Sequence, residues 1–303
     1  MIYDIRLTLA TDYAGTASNG RHVVCVMPRD LGPEQRLVAG LLTLSPRPSE
    51  RRDRIDFFGN AVVEFALDAL HGGVEVSVQA RVERQVTRQS PQSATSLGAL
   101  PRIIDACRDM GPDSPVHFIA ASARAPLTPA MTAFARAHVV SDMDTAEAVV
   151  AVGRALYRTM QFDPKATTVD TPAPEAFAKR HGVCQDFSHI MIACLRGIGI
   201  PAGYVSGYLR TRPPPGKPRL EGADAMHAWV RAWCGPQAGW LAFDPTNDRI
   251  ADSSHIIVAH GRDYGDVAPI RGILRGSGGQ TSRQSVDVIP LVDPIPPTAT
   301  GGE

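Results

Sequence analysis

The stretch GVCQDFSHIMIACLRGIG, residues 182–199, does most to limit what this chain can become. Within it Phe187, Ile190, Met191, Cys194, Leu195 and Ile198 recur at the three-, four- and seven-residue spacings of one buried helical face. Three short segments follow, AGYVSGYL, AMHAWVRAWC and GWLAFDPT, each rich in aromatic or β-branched residues and each the length of a strand. A core helix followed by consecutive strands is an α+β arrangement, in which the helix packs on an antiparallel sheet.

The rest of the chain is organised around that unit. From Tyr3 to about Arg84 the segments IRLTL, RHVVCVMP, LVAGLLTLSP, NAVVEFAL and VEVSVQARV alternate or run apolar between Gly, Pro and Asn breaks, which predicts an all-β, sandwich-like antiparallel domain over 1–90. The polar run VTRQSPQSATSLGA, residues 86–99, reads as an exposed linker. A linker and helical segment is expected over 91–145, with a helix near 129–139. A longer helix starts at Thr145 with Glu147 in its first turn and opens the core unit over 146–270. A C-terminal strand is expected over 271–292, and 293–303, with its Pro and Gly, reads as a disordered tail.

Composition narrows the function. Lys plus Arg and Asp plus Glu both number 31, so there is no global field to attract nucleic acid or an anionic membrane. The N-terminal residues carry Asp4, Arg6 and Asp12 among their apolar neighbours and form no signal-type apolar run. Five cysteines, at 25, 107, 184, 194 and 234, are an odd and scattered set rather than a disulfide framework, which points to a reduced cytoplasm. No nucleic-acid, membrane, cofactor or metal partner is expected.

Cys184 lies in or just before the first turn of the core helix, where free backbone N–H groups and the positive end of the helix dipole favour a thiolate. The same N–H groups can receive the oxyanion of a tetrahedral intermediate. A thiolate nucleophile needs a base, and His227 lies on a strand with Trp229, Arg231 and Trp233 on its face. The next strand returns after Gly235-Pro236-Gln237-Ala238, so the two form a hairpin. Any register whose paired positions sum to an odd number puts His227 and Asp244 on one face, within reach of each other.

These residues carry a resemblance. Gly182-Val183-Cys184-Gln185-Asp186-Phe187, Gly199-Ile200-Pro201-Ala202, Val205-Ser206-Gly207-Tyr208, His227-Ala228-Trp229 and Phe243-Asp244-Pro245-Thr246 resemble, in that order, the bacterial transglutaminase-like superfamily. Asp56-Phe57-Phe58-Gly59-Asn60 looks like that family's N-terminal β domain, and Gly261-Arg262-Asp263-Tyr264 like its post-core segment. The resemblance implies a papain/transglutaminase-like core in which Cys184 is the nucleophile, His227 the general base and acid, and Asp244 the residue that orients the histidine. It implies a cysteine peptidase or amidase working through a thioester, with a peptide or protein substrate as partner. The alternatives are a protein-glutamine transglutaminase, with an amine as acceptor, or a catalytically inactive peptide-binding module. The calcium dependence of animal transglutaminases is not carried over, because no acidic loop with the spacing of a calcium site is present.

Other residues have plainer readings. Cys25, Cys107 and Cys194 are expected in the core, and Cys234 at an exposed turn. His189 is expected off the buried face as a partner of a neighbouring element, and Asp186 as a capping residue. Trp229, ahead of Trp233 and Trp240, is a candidate to line a substrate groove. Asn247 and Asp248 are expected to shape a turn, and the Pro-rich segment 211–220 to form an exposed loop or a rim over the site. A zinc site is disfavoured, since only one cysteine joins the cluster and no paired ligand motif is present.

Overall fold

The computed structural model describes residues 1–85, 94–211, 222 and 224–291. Five strands open the chain: β1 (Ile2–Val24), β2 (Gln35–Ser45), β3 (Glu50–Ile55), β4 (Ala61–Leu67) and β5 (His71–Arg84). Their sheet runs β2-β5-β1-β4-β3. Where the sequence predicts separate strands over 5–9 and 21–28, β1 is one strand of 23 residues. Its polar middle stays extended because β5 pairs with it from Ile2 to Ala17, which satisfies backbone groups that no apolar pattern would have drawn into a strand.

The core follows in chain order. It holds α1 (Leu100–Ala106), α2 (Pro129–Arg136), α3 (Thr145–Thr159), β6 (Gln161–Phe162), α4 (Ala173–Lys179), β7 (His181–Gly182) and α5 (Cys184–Gly197). Then come β8 (Ala202–Leu209), β9 (Ala225–Trp233), β10 (Trp240–Asp244), β11 (Arg249–Ile250), β12 (His255–Gly261) and α6 (Tyr264–Val267). Helix α3 starts at Thr145, as expected, and is capped by the preceding Asp144, whose side chain accepts from the Ala146 N–H. The core sheet is antiparallel with order β11-β10-β9-β8-β12. Helix α5 packs on β8 and β9 and is flanked by α2, α3 and α4. Covered on both sides, it is buried all round from Asp186 to Arg196 rather than along one face.

The chain then returns to its beginning. The single strand expected over 271–292 is present as two strands in line, β13 (Ile270–Gly276) and β14 (Gln280–Pro290), with a break between Gly276 and Gln280. They run antiparallel to β1 one after the other, β13 along its residues 17–24 and β14 along 3–13. Residues 95–98 are not a free linker: Thr95 N–H donates to Cys234 O, Leu97 N–H to Met143 O and Gly98 N–H to Ser141 O. The rest of the expected linker, 86–93, lies outside the described residues. No helix among the described residues is long and apolar enough to cross a membrane.

Strand β12 is the edge of the core sheet, and the N-terminal region covers it. Gln35 donates through Nε2 to Ile257 O at 2.6 Å and accepts from Ile257 N–H at 2.8 Å. Asn60 repeats the pattern at His260, donating to its O and accepting from its N–H, both at 2.8 Å. Each amide side chain presents the donor and acceptor that a neighbouring strand would offer, so an edge open to other chains is closed. Asp56 holds Asn60 in place, accepting from its N–H and its Nδ2. That is the structural work of the segment Asp56-Phe57-Phe58-Gly59-Asn60.

Candidate active site

The half-buried Cys184 is the first residue of α5, so its N–H and those of the next residues have no acceptor within the helix. The chain enters the helix through a reach-back bond in which Asp186 Oδ2 accepts from the Val183 N–H at 2.8 Å. The Thr167 hydroxyl donates to the same oxygen at 2.6 Å. Burial raises the pKa of Asp186, while those two hydrogen bonds act the other way. Asp186 is thus the capping residue its position suggests. A side chain at Gly182 would come within 2.7 Å of the Asp186 Cβ, so the glycine lets the cap close.

The β9–β10 register pairs Trp240 with Trp233 and Phe243 with Val230, an odd sum, which puts Asp244 on the face of His227 as a diagonal neighbour. His227 Nε2 lies 2.8 Å from Asp244 Oδ2. His227 is also hydrogen-bonded to Cys184. With Nε2 committed to Asp244, Nδ1 is the ring nitrogen that faces the thiol. Burial alone would lower the His227 pKa, but the hydrogen bonds to Asp244 and Cys184 outweigh it and raise it to about 10. The Asp244 carboxyl has no exposure; burial would raise its pKa, yet its hydrogen bonds hold it far below the ordinary carboxylate range.

Two further residues complete the cluster. Asn247, expected only to shape a turn, donates through Nδ2 to Asp244 Oδ2 at 2.7 Å, and its N–H lies 3.2 Å from Oδ1. His255, which no sequence pattern singles out, lies with Nε2 3.2 Å from Asp244 Oδ2. Asn247 follows Asp244 by three residues, so local turn chemistry could have found it. His255 is brought in only by the path of the chain around the end of the sheet.

Other expectations are revised. Trp229 is wholly buried and lines no groove; it packs edge-on against His255, with ring centres 5.1 Å apart. Trp233 and Trp240 pair at the turn end of the hairpin, six residues along β9 from His227, roughly 20 Å at strand spacing. Cys234 is buried, which raises its thiol pKa to about 12, because Thr95 packs over the turn. Cys107 is partly exposed just beyond α1, whereas Cys25 and Cys194 are core residues as expected. His189 is buried rather than off the buried face, but it does serve a neighbour, accepting from Tyr264 N–H at 3.1 Å. The segment 212–220 lies outside the described residues.

In this arrangement a histidine stands between a cysteine and a buried carboxylate at a helix N-terminus, the elements of acyl transfer by a thiolate. His227, Asp244 and His255 also form a possible metal-ligand group, with donor atoms within 4.8 Å of one another. Those same atoms already hydrogen-bond each other, so an ion would have to displace those bonds.

Residues 132–245 match the family described as the transglutaminase-like superfamily, and residues 3–83 match the bacterial transglutaminase-like N-terminal region. An uncharacterised protein of Mycobacterium tuberculosis is 37% identical over 296 residues, covering 94% of this chain and 92% of the relative. An uncharacterised protein of Mycobacterium leprae is 33% identical over 239 residues, covering 76% and 79%. A solved structure named "Putative Cysteine Protease from Cytophaga hutchinsonii" superposes with a TM-score of 0.70 at 20% identity, covering 98% of this chain and 95% of that one, a likeness of fold.

Proposed function

The chain belongs to the transglutaminase-like superfamily, with the bacterial N-terminal region attached, and from that premise we propose that it is a cysteine-dependent peptidase or amidase using Cys184, His227 and Asp244. The observation that carries the reading is His227 bonded on one side to Asp244 at 2.8 Å and on the other to Cys184. The Cys184 sulfur attacks the amide carbonyl while His227 holds the thiol proton, and the oxyanion faces the N–H groups opening α5. His227 gives that proton to the departing nitrogen, so ammonia or an amine leaves and a thioester remains. Water then attacks the thioester, His227 takes its proton, the carbon–sulfur bond breaks to release the acid, and the Cys184 thiolate beside a protonated His227 is restored.

An amine in place of water at the last step would make the protein a transglutaminase. Five unpaired thiols, one of them the nucleophile, suit a reducing compartment, and we place the enzyme in the cytoplasm acting on peptide or protein amides. The test is a glutamine-containing peptide library incubated with and without a primary amine and followed by mass spectrometry, beside Cys184→Ala. Cleavage or deamidation lost in the variant supports the hydrolase, and amine adducts lost in the variant select the transglutaminase. If no product depends on Cys184, and iodoacetamide labels Cys184 no faster than the partly exposed Cys107, the enzymatic reading fails and a peptide-binding module replaces it.

A further inference from the structure

We infer that His255 is a positioning residue of the Cys184–His227–Asp244 system, through which the N-terminal sheet holds the carboxylate in register. The inference rests on the reading of that triad given above. His255 begins β12 and has no exposure. Its Nε2 approaches Asp244 Oδ2 at 3.2 Å, the oxygen that also meets His227 at 2.8 Å and Asn247 at 2.7 Å.

The ring lies between two aspartates, with Nδ1 3.1 Å from the Asp252 N–H and 3.2 Å from Asp252 Oδ1, and Nε2 facing the Asp244 carboxylate. A carboxylate oxygen only accepts, so the bond to Asp244 requires a proton on Nε2, and the ring donates to Asp244. Asp252 Oδ1 also accepts from the Ser254 N–H and hydroxyl. Arg249 reaches Asp252 at 3.6 Å, and Arg84, from β5, donates through Nε to His255 O at 3.1 Å. The Trp229 ring packs edge-to-face against the His255 ring, with ring centres 5.1 Å apart.

Of the three donors on Asp244 Oδ2, only His255 is supplied by β12; Asn247 and the N–H groups on Oδ1 belong to the turn that follows Asp244 and move with it. Without His255 the carboxylate loses its anchor on β12, its hold on His227 loosens, and burial pulls the imidazolium pKa down.

The experiment compares His255→Gln, His255→Asn and His255→Leu in the full chain. Glutamine can set an amide N–H near the place of Nε2; asparagine and leucine cannot. The readouts are the rate of Cys184 alkylation by iodoacetamide across pH and the ¹⁵N titration of His227, neither of which needs a substrate. Glutamine should keep the rate at neutral pH within about threefold of the unaltered protein, while asparagine and leucine should slow it about tenfold or more. The slowed variants should also show a lower His227 midpoint. Unaltered rates and midpoints in both would overturn the inference. Should the leucine and asparagine variants not fold, the imidazole ¹⁵N spectrum of the unaltered protein decides: His255 protonated at Nε2 supports the role, and a bare Nε2 overturns it. If Cys184 of the unaltered protein is itself no more reactive than Cys107, the triad reading falls, a failure distinct from that of His255.

Discussion

Both oxygens of Asp244 are occupied, Oδ2 by His227, His255 and Asn247 and Oδ1 by the N–H groups of Thr246 and Asn247. So held, it keeps His227 protonated up to about pH 10, and the imidazolium is available as proton donor through the neutral range. Asp244→Asn removes an influence that raises the His227 pKa and leaves burial, which lowers it. The midpoint in an imidazole ¹⁵N titration should therefore fall, and turnover should drop by up to about 10⁴-fold without vanishing. A His227 midpoint that stays near 10 in this variant would mean that Asp244 does not set it. Cys184→Ala should abolish turnover with the melting curve unchanged, which peptide mass spectrometry and circular dichroism together would check.

At the scale of elements, the site depends on α5 and on the close approach of three strands. Gly207 of β8 lies opposite His227, and a side chain there would collide with the Ile256 carbonyl and the Trp229 indole. Gly207→Ala should cost about 1–3 kcal/mol in urea denaturation and, by pushing Trp229 against His255, slow Cys184 alkylation. A variant as stable and as reactive as the unaltered protein would show that the ring has room to move. Helix α5 also carries His189, whose burial lowers its pKa to about 4 from an ordinary 6.5. A group with a depressed folded-state pKa of this kind binds its proton sooner in the unfolded chain, so stability should fall as the pH drops from 6.5 toward 4. His189→Gln, which keeps an acceptor near the Tyr264 N–H, should flatten that slope in urea titrations between those limits. A slope left intact would assign it to the other buried histidines, His22 and His260, whose pKa values burial also lowers.

Across the whole molecule, the two sheets are joined where Gln35, Asn60 and Arg84 meet the main chain of β12, and where β13 and β14 return to β1. Asn60→Ala leaves a buried N–H and C=O of His260 without partners, at an expected cost of about 1–3 kcal/mol per unsatisfied group. Because the N-terminal sheet and the core share this edge and the C-terminal strands β13 and β14 add to β1, thermal unfolding should be one transition by both tryptophan fluorescence and far-ultraviolet circular dichroism. Two separated transitions would show that the sheet is an independent unit merely resting on the core.

The sequence by itself determined the elements and the three central residues. A helical spacing over 187–198 and short strands at 202, 225 and 240 need only local periodicity. Strand alternation said that an odd register would bring His227 and Asp244 to one face, while the pairing of β9 with β10 decides that the register is odd. What lay beyond it was whatever depends on two distant segments meeting. The burial of α5 on all sides needs the flanking helices, the burial of Cys234 needs Thr95, and the length of β1 needs β5 beside it. His255 shows this most clearly: eleven residues after Asp244 and outside any motif, it reaches the carboxylate only because the chain turns around the sheet end. A periodic pattern reports what one element presents to its surroundings, whereas a shared hydrogen-bond acceptor is decided by three elements at once, and only the tertiary structure brings them together.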